Sequence, residues 1–154
     1  MELKKGFTLL ELVVVIIILG VLATLGITQY GSMVERSRDA EAKTVLGDMR
    51  KLAVAYWLQN GSVTGMTMTD LNIGPGADQI PGPDTCRGTH YFYYWANADS
   101  GPNHMNFVAY RCASGGKPPQ GQGRYVLLWT NFVNGIEGWS TCVAPGDCQA
   151  PAGW

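Results

Sequence analysis

The stretch that decides the fold of this chain is KGFTLLELVVVIIILGVLATLGI, residues 5–27. From Phe7 onward it holds aliphatic residues, a few threonines and glycines, and one ionisable residue, Glu11. About 20 such residues are enough for a helix to cross a lipid bilayer, so the stretch predicts a membrane-spanning helix. A carboxylate inside such a helix is costly, and we therefore expect Glu11 to have a specific role.

Two lysines, Lys4 and Lys5, precede the apolar stretch. Because positive charge is retained on the cytoplasmic side of a membrane, the N terminus is predicted to be cytoplasmic. A secretory signal would carry a small-residue cleavage site after its apolar core. No such site follows here, and the apolar stretch continues into a further helical pattern. The apolar helix is therefore predicted to stay in the mature chain.

Residues 28–60 are predicted to continue as an amphipathic helix. Apolar side chains recur at the spacing of one helical face, namely Val45, Leu46, Met49, Leu52, Ala53, Tyr56 and Trp57. Charged residues occupy the other side, where Asp39 and Lys43 are expected to pair one turn apart. Asn60 followed by Gly61 predicts the end of the helix. We expect the apolar face to pack on the globular part of the same chain.

The remaining sequence predicts a small antiparallel sheet. Residues 61–83 are rich in Gly and Pro and predict a loop. Three aromatic and aliphatic runs then predict strands, at residues 89–96, 105–113 and 124–130. A long helix followed by a meander of about three to four strands is an α+β fold with the helix on one face of the sheet. The 154 residues suit one such domain with an appendage.

All four cysteines lie in the second half of the chain: Cys86, Cys112, Cys142 and Cys148. None forms a Cys-x-x-Cys pair, and an even number in a loop-rich, exported segment predicts two disulfide bonds. Three pairings are possible. Cys86 with Cys112 and Cys142 with Cys148 is the most economical, because each pair then brackets one compact unit of sequence.

The sequence contains no set of residues that predicts catalysis, and we expect neither an enzyme nor a cofactor. No metal site is predicted, because His90 and His104 lack a third ligand, and Asp99, Glu137 and Asp147 are scattered. Residues 61–154 contain four Lys or Arg against six Asp or Glu. No nucleic-acid partner is therefore expected, since phosphate contacts favour a basic face.

The run Lys5-Gly6-Phe7-Thr8-Leu9-Leu10-Glu11 resembles the prepilin signature of type IV pilins and type II secretion pseudopilins. The resemblance implies that a prepilin peptidase cuts between Gly6 and Phe7 on the cytoplasmic face, and that Phe7 is then N-methylated. It extends through Gly20 and Tyr30. Many family members carry a proline where this chain has Thr28, so any loosening of the helix is expected at glycines, chiefly Gly20 and Gly26.

The resemblance implies a division of the chain into a cleaved leader (1–6), a transmembrane and filament-core helix (7–27), its amphipathic continuation (28–60), a variable loop (61–88), and a sheet with a disulfide-bounded C-terminal region (89–154). It implies a structural subunit of a type IV pilus, most simply a major pilin, serving roles such as adhesion, motility or DNA uptake. The alternative is the major pseudopilin of a type II secretion system, which forms a periplasmic filament for protein export.

The partners implied are other copies of the chain in a helical filament, the inner membrane, the prepilin peptidase, the assembly platform and its ATPase. The chain would reside in the inner membrane before assembly and in an extracellular pilus afterwards. Cutting after Gly6 would create an α-amine at Phe7. In the filament, the Glu11 carboxylate is expected to face the Phe7 amine of a neighbouring copy, because an unpaired charge buried among apolar helices would be costly.

Overall fold

The computed structural model describes residues 7–98, 101–121, 123–142 and 148, with Thr28 described by its backbone alone. One long helix, α1, spans Leu9–Asn60. It is followed by a short 3-10 helix, Thr69–Leu71, and by six strands: β1 Ile73–Gly74, β2 Ile80–Pro81, β3 Phe92–Asn97, β4 His104–Arg111, β5 Tyr125–Asn131 and β6 Glu137–Cys142. The chain separates into two compact units, Met1–Arg38 and Asp39–Trp154. The predicted α+β class is confirmed.

The first unit contains the apolar part of α1. Its side chains from Leu9 to Ile27 are exposed. Within the described residues, α1 is the one helix long and apolar enough to cross a membrane. Proline is absent from the whole of α1, so no residue inside the helix lacks the N–H that forms the helical hydrogen bond.

The helix ends at Asn60, as the sequence predicts. Gly61 has a φ of 69°, in the left-handed region, and its N–H donates to the Trp57 carbonyl at 2.7 Å. A glycine in this conformation satisfies a free carbonyl at the helix end without the strain that a Cβ would cause. The end of α1 is thus set by a local sequence signal.

The main sheet has the order β3-β4-β5-β6, with every neighbouring pair antiparallel. The three predicted strands correspond to β3, β4 and β5. We did not predict β6, because its sequence, EGWSTC, lacks apolar alternation and most of its residues are exposed or half-buried. This edge strand forms through the pairing of its backbone with β5, and its Glu137 side chain pairs with Arg50 of α1.

The core of the second unit lies between α1 and one face of the sheet. Its fully buried members include Ala42, Leu46, Met49 and Ala53 from the helix and Phe92, Tyr94, Phe107, Ala109, Val126 and Leu128 from the sheet. The predicted apolar face was wrong at Leu52, which is 42% exposed. The buried stripe follows positions 42, 46, 49 and 53, and Leu52 lies at its flank, so the helix turns that side chain toward solvent.

The predicted ion pair between Asp39 and Lys43 is also replaced. Asp39 is 6% exposed, and its carboxylate pairs with the guanidinium of Arg124 at the start of β5. An arginine offers two parallel N–H donors, which suits a buried carboxylate better than a lysine on the exposed side of the same helix.

Residues 61–91 contain more structure than a loop. Strands β1 and β2 pair in parallel. The Arg87 guanidinium donates to the carbonyls of Gly74 and Gln79, at 2.8 and 2.6 Å. Cys86 and Cys112 form a disulfide that ties this segment to the end of β4, with their Cα atoms 5.9 Å apart. This confirms the predicted pairing of Cys86 with Cys112.

Candidate functional site

The start of α1 is closed by two side chains that bond to each other's backbone. Thr8 precedes the first helical residue, and its hydroxyl accepts from the Glu11 N–H at 3.3 Å. In return, Glu11 Oε2 accepts from the Thr8 N–H at 2.9 Å and from the Thr8 hydroxyl at 2.8 Å. This reciprocal arrangement is a capping box, which satisfies N–H groups that no helical carbonyl can reach.

Sequence reasoning missed this local role of Glu11. The signal was present, because Thr8-x-x-Glu11 ahead of an apolar run is the pattern of a capping box. The carboxylate also suits its place electrostatically, since a negative charge in the first turn stabilises the positive end of the helix dipole. Glu11 is therefore explained in part by the fold of a single copy, before any assembly is considered.

The capping box leaves part of the Glu11 carboxylate available. Both Thr8 bonds go to Oε2, and Oε1 receives no hydrogen bond from the described residues. Phe7 is 87% exposed, and the proposed cleavage residue Gly6 lies outside the described residues. The site thus presents a carboxylate oxygen and an exposed phenylalanine at the head of an exposed apolar helix.

The two glycines expected to loosen the helix lie within α1, which continues through both. A Cβ added at Gly20 or Gly26 would meet no atom within 4 Å. The Thr24 hydroxyl donates to the Gly20 carbonyl at 2.9 Å, and back-bonding of this kind favours helix bending. Packing against the described residues does not require either glycine, and loosening of the helix at these glycines in a filament stays a prediction.

At the other end of the chain, the structure links Cys142 at the end of β6 to Cys148, with Cα atoms 5.7 Å apart. Residues 143–147 between them lie outside the described residues. Cys142 with Cys148 is also the pairing that the sequence favours, and peptide mapping without reduction tests it.

The structure brings no metal ligands together in the part of the chain that it describes, where no cluster of three His, Cys, Asp or Glu residues occurs. His90 Nδ1 lies 2.9 Å from the Thr89 hydroxyl. His104 Nε2 lies 2.9 Å from Asn131 Nδ2. Asp99 and Asp147, two of the three carboxylates considered for calcium, lie outside the described residues.

Comparison with known proteins identifies the N-terminal segment. Residues 1–27 match the family model described as the prokaryotic N-terminal methylation motif. The chain carries a prokaryotic N-terminal methylation motif. This region contains Phe7, the Thr8–Glu11 capping box and most of the exposed apolar helix, so the motif coincides with the site built above.

Type IV fimbrial proteins are homologues of this chain. A type IV major fimbrial protein FimA of Dichelobacter nodosus is 43% identical over 75 residues, which cover 49% of this chain and 44% of that protein. A probable minor fimbrial protein of the same organism is 38% identical over 89 residues, covering 53% of this chain and 55% of that protein. The matches therefore span about half the length of these relatives. No solved structure matches the chain significantly.

Proposed function

We propose that this chain is a structural subunit of a type IV pilus, most simply its major pilin. The observation that carries the proposal is the methylation motif at residues 1–27, placed at the head of a helix whose apolar side chains are exposed. An exposed aliphatic surface of this length is stable in lipid or against other apolar helices. Its homologues include a type IV major fimbrial protein and a probable minor fimbrial protein.

The proposed assembly begins in the inner membrane, with residues 1–6 on the cytoplasmic side as the leader. A prepilin peptidase cuts between Gly6 and Phe7, and the new terminal amine of Phe7 is N-methylated. An assembly platform driven by an ATPase then moves the subunit from the bilayer into an extracellular filament. The helical segments from Phe7 to Ile27 form the filament core. Their apolar side chains therefore move from contact with lipid to contact with the apolar side chains of neighbouring copies.

Glu11 selects the register of these helices in the proposed filament. Its Oε1 receives no hydrogen bond within the described chain, and the methylated amine of Phe7 on a neighbouring copy is a charged donor of the right kind. Buried opposite charges stabilise an interface only when both are paired. A uniform aliphatic surface cannot choose between neighbouring registers, whereas one carboxylate and one amine per subunit can.

The experiment is mass spectrometry of filaments sheared from cells that express this chain, combined with electron microscopy. We expect long extracellular filaments made of a chain that begins at N-methylated Phe7. A chain that retains Met1, or that is cut near Thr24, contradicts the proposed processing. Absence of surface filaments, together with a defect in protein export after deletion of the gene, favours the alternative of a periplasmic pseudopilus.

A further inference from the structure

A groove beside β3 has no role in the assembly described above. It lies against the face of the sheet opposite α1 and is lined by Pro83, Asp84, Tyr93, Trp95 and Tyr110, with a volume of about 370 Å³. This volume falls within the range of roughly 300–1,000 Å³ that is usual for clefts that bind small molecules. Three of its five lining residues are aromatic, and one is a carboxylate.

The aromatic wall is built by strand geometry. Tyr93 and Trp95 are two residues apart on β3, so they lie on the same face of the sheet. Tyr110 is the register partner of Tyr93 on β4, and their ring centroids are 5.2 Å apart with planes inclined by 17°. All three side chains are half-buried. Tyr110 is also next to Tyr125, with ring centroids 5.6 Å apart. The ring faces that no other ring covers carry partial negative charge.

Asp84 is held at the groove by a tight turn. The Thr85 N–H donates to the Gly82 carbonyl at 3.0 Å, which closes a four-residue turn with Pro83 in its second position. Asp84 occupies the third position with a φ of 56°, where glycine or asparagine is usual. Cys86, two residues later, is bonded to Cys112 beside the end of β4. The backbone that carries the Asp84 side chain therefore has a defined place next to Tyr93.

Asp84 is exposed, and among the described residues its side chain forms neither an ion pair nor a hydrogen bond. Burial and then the negative charge of Asp84 raise the pKa of the Tyr93 phenol. Arg111 lines an adjoining depression together with Asp84 and Tyr93, but its guanidinium donates to the Pro119 carbonyl at 2.6 Å and lies over the Tyr91 ring. The groove thus combines an exposed carboxylate that has no direct partner among the described residues with aromatic side chains.

We propose that this groove binds an organic cation, namely an ammonium group that carries alkyl substituents. Aromatic faces attract such a cation through its charge and pack against its methyl groups, while a nearby carboxylate adds a direct charge interaction. A neutral sugar also stacks on aromatic rings, and its hydroxyls can donate to the Asp84 carboxylate. It carries no positive charge, however, whereas a cation is attracted by both the carboxylate and the ring faces.

The test uses the full chain purified in a polyoxyethylene detergent, which carries neither an ammonium group nor a sugar. Choline chloride is titrated while saturation transfer to its methyl protons is measured by NMR. The matched probe is 3,3-dimethylbutan-1-ol, in which carbon replaces the choline nitrogen and the charge is lost. We expect saturable choline binding, with the neutral probe weaker by about tenfold, because cation–π and carboxylate attraction both need the charge.

Asp84→Asn removes the charge and keeps a side chain that tolerates the left-handed conformation. We expect it to weaken choline binding about twofold to fivefold, as for other exposed charge pairs. Asp78→Asn is the control, because Asp78 is an exposed carboxylate in the same segment that does not line the groove. Circular dichroism verifies that both variants fold. Equal binding of the two probes, no choline binding, equal effects of the two substitutions, or binding of glucose in place of choline would each overturn the proposal.

Discussion

Arg124 and Asp39 are joined by two parallel contacts across 85 residues of sequence. Arg124 Nε donates to Asp39 Oδ1 at 2.9 Å, and its Nη2 contacts Asp39 Oδ2. The Asp39 side chain is 8% exposed and that of Arg124 is 28% exposed. The pair fastens the helix to the beginning of β5 at the point where the second compact unit starts.

Asp39→Ala should destabilise the second unit by about 3 kcal/mol, because it leaves the Arg124 guanidinium partly buried without its carboxylate. Denaturant unfolding of the full chain in detergent, followed by Trp fluorescence, measures the loss. The control is Asp48→Ala, which breaks the exposed ion pair with Lys51 and should cost under about 0.5 kcal/mol. An equal loss of unfolding free energy in the two variants would show that the pair of Asp39 with Arg124 stabilises the fold no more than an exposed ion pair does.

Three substitutions separate the two roles of Glu11, namely capping the start of α1 and pairing with the Phe7 amine of a neighbouring copy. Glu11→Gln retains a side chain that can complete the capping box but carries no charge. We expect it to keep the helix start and to reduce filament yield at least about tenfold, since the Phe7 amine of the neighbouring copy then lacks an anion. Filament yield is measured by shearing cells and quantifying the subunit in the released fraction.

Thr8→Ala is the reverse change, because it removes the cap and leaves the Glu11 charge. It should cost about 1 kcal/mol of helix stability and reduce filament yield less than Glu11→Gln does. Glu11→Ala combines both losses. Filaments at the normal level from Glu11→Gln would show that the cap, and not the charge, is the function of this residue.

Tyr94 should make the second unit sensitive to alkaline pH. Burial, and after it the charge of Glu41, raises the pKa of Tyr94 well above its usual range. The folded state therefore favours the neutral phenol. This contribution to stability is complete below about pH 10, the ordinary pKa of tyrosine, and is lost as the pH rises toward the raised value.

Tyr94→Phe tests this directly. The Tyr94 hydroxyl is buried without a hydrogen-bond partner among the described residues, so its removal should leave stability at pH 7 unchanged or raise it by about 1 kcal/mol. The midpoint of alkaline unfolding, followed by circular dichroism, should move to higher pH. Tyr30→Phe, at a side chain that is 71% exposed, should leave that midpoint in place. A lower midpoint for Tyr94→Phe would contradict the assigned burial.

Gly138 is required by the indole of Trp129, its register partner across β5 and β6. A Cβ on Gly138 would lie 2.0 Å from Trp129 Cζ2. Gly138→Ala should therefore cost about 1–3 kcal/mol through displacement of the ring. Gly47→Ala is the matched control, because a Cβ there meets nothing within 4 Å, and it should stabilise the helix by up to about 1 kcal/mol. Thermal unfolding of both variants distinguishes the two sites.

The disulfide bonds are tested by peptide mapping without reduction. We expect Cys86 linked to Cys112 and Cys142 linked to Cys148. Replacement of both Cys86 and Cys112 by Ser should cost about 2–4 kcal/mol, because the closed loop restricts the unfolded chain. Recovery of Cys142 as a free thiol, or linked to Cys86, would contradict the second pairing.

The sequence by itself determined the long helix, its end at Gly61, the membrane-length apolar segment and three of the four strands of the main sheet. Each of these depends on local chemistry: a capping pattern, a run of aliphatic residues, a glycine able to adopt a left-handed φ, or apolar and aromatic runs. The methylation motif is local for the same reason, since the features it contains all lie within 27 residues.

Only the tertiary structure decided the partner of Asp39, the formation of β6 and the groove around Asp84. Asp39 had a plausible partner one turn away, and a guanidinium 85 residues distant replaced it because burial favours two parallel donors. Strand β6 has little apolar pattern, and pairing with β5 forms it. Asp84 meets Tyr93, Trp95 and Tyr110 because the segment that precedes Cys86 lies beside β3 and β4. The sequence predicts the disulfide of Cys86, but no local pattern indicates which strand residues lie beside Asp84.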